Sequence, residues 1–119
     1  MGSFRELNVW KKSMELVKEV YSVLDSFPNQ EKFALADQIR RAAVSIPSNI
    51  AEGSARNSDK EFLQFLYIAR GSRAELESQL EIAKMLGYIS QSRFEELLKI
   101  SEEIGKMLNK FISSIKSKN

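Results

Sequence analysis

The chain has 119 residues, no cysteine, no histidine, 43% hydrophobic and 29% charged residues, and a formal net charge of +2. That length accommodates one domain, residues 1–119, with its own core. The two missing residue types exclude disulfides, thiolate metal sites, Ser-His-Asp and Cys-His catalysis, and the Glu-x-x-His pairs of di-iron bundles.

Two prolines and five glycines among abundant Leu, Ile, Ala, Glu and Lys favour helix over sheet. No run of about 18 apolar residues is present, and the opening residues lack the apolar centre of a signal peptide, so the expected location is the cytoplasm, away from membranes. A charge of +2 is well short of the positive field that marks a nucleic-acid-binding protein unaided. No phosphate loop, dinucleotide motif or metal-ligand spacing occurs, so neither cofactor nor catalysis is expected.

The first helix is predicted from Arg5 to Ser26. Leu7, Trp10, Met14, Val17, Tyr21 and Leu24 recur at three and four and read as its seam, with Val9, Leu16, Val20, Val23 and Phe27 beside them. So wide a stripe fits either a helix wedged between two neighbours or one whose outer series meets another subunit. Ser3 with Glu6 could cap this helix, with Asn8 as the competitor.

After Pro28, Asn29 is the expected N-cap of a second helix from about Gln30 to Ala55. Pro47 lies inside it, lacks an N–H and crowds the carbonyl four residues back, so the helix should bend or break there. Arg41, Ser45, Asn49 and Glu52 share one face. Ser58 and Glu61 form a capping box for a third helix from Asp59 to Leu86. Its seam is Phe62, Leu66, Ala69, Leu76, Leu80 and Ala83, interrupted by Arg73; the neighbouring series is polar at Ser72, Glu75 and Gln79.

Two polar faces at matching positions predict a network in which Arg41 (or Arg40) and Asn49 meet Glu75 and Gln79. Its members would be Arg41, Ser45, Asn49, Glu52, Ser72, Glu75 and Gln79, fixing helix register or, alternatively, handling a ligand or proton. Gly71 beside Ser72 would let another backbone approach. Gly87 closes the third helix. Ser90 or Ser92 caps the fourth, whose stripe is Phe94, Leu97, Ser101, Ile104, Leu108, Phe111 and Ile115, with fraying from Lys116 onward. Connections of a few residues predict an all-α, up-down-up-down antiparallel four-helix bundle with a proline-bent second helix. Arg40, Arg41, Arg56, Lys60, Arg70 and Arg73 are the basic residues placed to engage phosphates.

The run Ile39-Arg40-Arg41-Ala42-Ala43-Val44-Ser45-Ile46-Pro47-Ser48-Asn49-Ile50-Ala51-Glu52-Gly53 resembles the hallmark of the bacterial four-helix-bundle family encoded in 23S rRNA intervening sequences. Phe4-Arg5-Glu6-Leu7 with Val9-Trp10, Glu61 to Leu66, and Ala74 to Leu80 leading to Leu86-Gly87-Tyr88-Ile89 agree with it. Arg70 and Arg73 depart from it, standing where apolar or neutral residues are expected. The resemblance implies a ring-shaped homopentamer. It also extends to the accessory protein of diversity-generating retroelements, which works with a reverse transcriptase and its RNA. The function implied is a non-enzymatic oligomeric module bound to RNA or a ribonucleoprotein. The alternative is a structural scaffold for a protein partner.

Overall fold

A computed structural model describes residues 3–118; Met1, Gly2 and Asn119 lie outside the described residues. Four helices carry the fold: α1 Asn8–Leu24, α2 Leu35–Ser54, α3 Asp59–Met85 and α4 Gln91–Ser117. Short 3-10 turns at Phe4–Glu6 and Asn29–Glu31 precede α1 and α2, and the described residues contain no strand. α1 packs on α2 and α4, and α3 on α2 and α4, while the two diagonal pairs stay apart, as in a four-helix bundle.

Three of the expected helix ends form as expected, two through serine side chains and one through the backbone at a glycine. Ser58 Oγ accepts the Glu61 amide at 3.2 Å and donates to the Glu61 carboxylate. Ser90, of the two candidates, caps α4 through the Arg93 amide. Gly87 has φ +82°, and the Tyr88 and Gly87 amides return to the carbonyls of Ala83 and Lys84, which closes α3 in a Schellman turn.

The start of α2 differs from expectation. Asn29 opens a 3-10 turn instead of capping the helix, and α2 begins five residues past Gln30, at Leu35. Glu31 explains the delay. Its carboxylate accepts the Leu35 amide at 3.4 Å and the Tyr88 hydroxyl at 2.8 Å, tying this connection to the α3–α4 corner. Ser3 likewise serves the first 3-10 turn, accepting the Arg5 amide, and α1 starts without a side-chain cap. α2 runs unbroken through a buried Pro47 to Ser54.

The two stripes on α1 exchange roles. Val9, Leu16, Val20 and Val23 face the core, whereas Met14 and Tyr21 remain 44% and 45% exposed and Trp10, Val17 and Leu24 are half-buried. Ser13 interrupts the core series. Its hydroxyl donates to the Val9 carbonyl at 2.7 Å, so a serine is buried there with its polar group satisfied.

The close approach expected at Gly71 falls at Gly53 instead. A Cβ on Gly71 would meet nothing within 4 Å, whereas one on Gly53 would lie 2.7 Å from Phe65 Cβ and 2.9 Å from Phe62 Cδ1. Close approach therefore happens at the α2–α3 corner. Gly53→Ala should destabilise the protein by about 1–3 kcal/mol through overpacking. Gly71→Ala should stabilise it by roughly 0.5–1 kcal/mol, since only helix propensity changes. Thermal melts of the two variants give shifts of opposite sign.

Candidate functional site

The predicted network forms only at its centre. Ser45 and Ser72 bring their hydroxyls 2.8 Å apart across α2 and α3, and Asn49 Nδ2 donates to the Ser45 carbonyl and hydroxyl at 2.8 and 2.9 Å. Of the other members, Arg41 and Glu52 turn to partners close by in the chain, Glu75 to solvent, and Gln79 is buried apart from the centre. Arg41, with its side chain 78% exposed, binds Asp37 at 2.9 Å, and Glu52 binds Arg56 at 2.9 Å. Glu75 is exposed on the outer side of α3 and does not pair with Arg41. Gln79 is buried two turns beyond Ser72, and its Oε1 has no hydrogen-bond partner. A helical neighbour four residues away is reached without ordering a second helix, so local ion pairs displace the expected one between helices.

A second polar cluster between helices lies where α3 meets α4. Arg73 pairs with Glu77, and its Nη1 donates to the Ser101 carbonyl at 3.1 Å and hydroxyl at 3.3 Å. Ser101 in turn donates to Glu77 at 2.6 Å. Gly105 makes room, because a Cβ there would fall 2.6 Å from the guanidinium carbon. Arg73 is thus committed to the α3–α4 seam and is absent from the basic surface. The sequence signal was available: a glycine one helical turn beyond a core-facing serine leaves space for a large side chain from the facing helix.

The remaining basic candidates do not form one patch on the single chain. Arg40 and Arg41 share Asp37 on the N-terminal half of α2. Arg56 and the exposed Lys60 flank the α2–α3 corner, about 20 Å further along. Arg56 lies over the Phe65 ring at 4.7 Å. Arg70 lies over the Tyr67 ring at 5.1 Å, and its Nη1 donates to Asn109 at 3.4 Å. Arginine planes held on aromatic rings keep outward N–H groups available to phosphates.

Beside Arg40 and Arg41, the exposed side of α1 meets α2 in an apolar groove of about 380 Å³ lined by Trp10, Met14, Val17, Val44, Pro47 and Ala51. Among the described residues no cluster of acidic side chains could hold a metal ion, and no helix is long and apolar enough to cross a membrane.

Electrostatic shifts follow the ion pairs. Asp37 is held below the usual carboxylate range, first by its hydrogen bond from Arg41. Glu103 is lowered by its hydrogen bond from Lys12, and Lys12 is raised by the same contact, 2.9 Å long. A lowered carboxylate stabilises the fold above its unfolded pKa and loses that contribution as pH falls through the folded value. Acidification through and below pH 4 should therefore lower the melting temperature, and Asp37→Asn with Glu103→Gln should flatten that acid limb. A double-mutant cycle on Arg73 and Glu77 should return about 1–2 kcal/mol of coupling, against nearly zero for Arg41 and Glu75.

The family model described as 23S rRNA-intervening sequence protein matches residues 5–110. A solved structure from Bacteroides thetaiotaomicron, a protein with unknown function from the S23 ribosomal protein family, is 31% identical with a TM-score of 0.81. The match covers 87% of this chain and 97% of that one. No curated protein matches. The chain belongs to the 23S rRNA-intervening sequence protein family.

Proposed function

We propose that the protein is a non-enzymatic, oligomeric binding module of the cytoplasm that associates with RNA or a ribonucleoprotein. The observation that carries this reading is the pairing of two surfaces on α1 and α2. One is the exposed apolar strip of Met14, Tyr21 and Val44; the other is the guanidinium pair of Arg40 and Arg41 beside it. An apolar strip next to basic side chains suits a subunit interface that gathers charge. In a homopentamer +2 per chain becomes about +10 per ring, a field large enough to concentrate a polyanion. Arg41, Arg56, Lys60 and Arg70 are the phosphate-facing candidates.

The same reading takes the helices as up-down-up-down with α2 bent at Pro47. In support of the topology, Ser45 meets Ser72 while Gly53 meets Phe62, and Lys12 meets Glu103 while Glu19 meets Arg93. A protein scaffold without nucleic acid is the second reading, favoured by the apolar groove on α1 and α2.

Sedimentation equilibrium should give a pentamer mass. RNA affinity should fall steeply between 50 and 200 mM salt, by about tenfold or more, as phosphate contacts release counterions. Arg56→Gln with Lys60→Gln should lower the slope of that dependence by roughly one to two. Absent binding, or binding indifferent to salt, would leave the scaffold reading.

A further inference from the structure

At the end of the bundle where the N-terminal turn, the α2–α3 corner and the end of α4 converge lies a cup of about 270 Å³. Its wall is aromatic: Phe4, Phe62 and Phe111 line it, all half-buried, and Phe62 meets Phe111 edge to face at 5.3 Å. Leu7 and Ile115 continue that apolar wall, and the rest of the lining is polar and of both signs, with Arg56 and Lys118 as cations and Glu6 and Asp59 as acids. Neither a bare anion nor an apolar peptide suits this mixture. Acids would repel an anion drawn into the cup, and an apolar side chain would offer nothing to the Glu6 carboxylate or to the Arg56 guanidinium beside it.

A planar ring bearing amino groups, with a phosphate attached outside, satisfies each part. The ring stacks on phenylalanine, which is indifferent to base identity. Exocyclic amino groups donate to a carboxylate such as Glu6. The phosphate meets Arg56, whose guanidinium is already steadied over Phe65 and whose pairing with Glu52 is an exposed, readily exchanged one.

We infer that this cup is a nucleotide site that takes one unstacked base of a single-stranded RNA, with its phosphate at Arg56. The source of the nucleotide rests on the RNA reading above; the cup's chemistry does not. A free mononucleotide offers the same groups, and the test separates the two sources.

Trp10 is the chain's single tryptophan, and its ring meets Phe4 edge to face at 5.2 Å, so its fluorescence reports on a wall of the cup. The full-length protein is titrated with adenosine 5′-monophosphate, a single-stranded oligoribonucleotide and a duplex of the same length, while electrophoretic mobility records RNA binding independently. The single strand should change Trp10 emission where the duplex does not. Arg56→Gln and Phe111→Leu, each confirmed by its melting curve to be folded, should weaken single-strand binding about tenfold. A response to the mononucleotide alone, weakened by both variants, supports the cup while removing RNA as its source. RNA binding that is equal for single strand and duplex and insensitive to both variants overturns the cup and leaves the RNA reading standing. No fluorescence response to any of the three ligands also overturns the cup, with mobility deciding separately whether RNA is bound elsewhere.

Discussion

The close approach of α2 and α3 is the constraint on which the rest of the molecule depends. Two serine hydroxyls can bond directly across a helix pair only where the axes lie near the lower limit of packing distance, about 8 Å. Small side chains make that possible: Ala42, Ala43 and Ala69 are buried, and Gly53 admits Phe62 and Phe65 at the corner. Once α2 and α3 are joined in this way, Ile39, Ile46 and Ile50 of one and Leu66, Leu76 and Leu80 of the other meet α1 and α4 as a shared core. Pro47 is buried within α2, and the helix continues past it to Ser54.

A tight seam on one side of α3 leaves the other side to solve a different problem. Arg73 lies in what would otherwise be an apolar series, and a desolvated guanidinium is costly unless its charge and donors are met. Glu77 supplies the charge, Ser101 two acceptor atoms for Nη1 and Gly105 the space, while the buried Nε has no hydrogen-bond partner. Arg73 is therefore held between α3 and α4. The basic surface that remains is built from Arg41, Arg56, Lys60 and Arg70, spread along the chain instead of gathered in one patch.

Both ends of the bundle are finished by tertiary contacts. At one end Glu31 holds the start of α2 and the Tyr88 hydroxyl together, and the Phe27 and Tyr88 rings pack at 5.3 Å. At the other, Phe4, Phe62 and Phe111 surround a cup that no helix could form alone. The outer strip of α1, with Met14 and Tyr21 exposed, is the flank neither end covers.

Periodicity and capping chemistry were enough to read the helices from the residues. Three- and four-residue spacing placed the α3 and α4 cores correctly, and Ser58, Gly87 and Ser90 marked their ends, because these signals act within one or two turns of chain. Family membership was equally legible, since a fifteen-residue run carries it. Which α1 stripe is buried, which glycine is crowded and which arginine is consumed were decided only in three dimensions. Each depends on what stands opposite: Ser13 is a core residue because Val9 accepts its hydroxyl, Gly53 is crowded because Phe65 lies across from it, and Arg73 is held because Gly105 faces it. Local ion pairs such as Asp37 with Arg41 outcompeted the expected contact between helices for a related reason. A linear pattern gives the face on which a side chain lies, but the energy of its charge is set by the nearest partner, and that is a property of the folded chain.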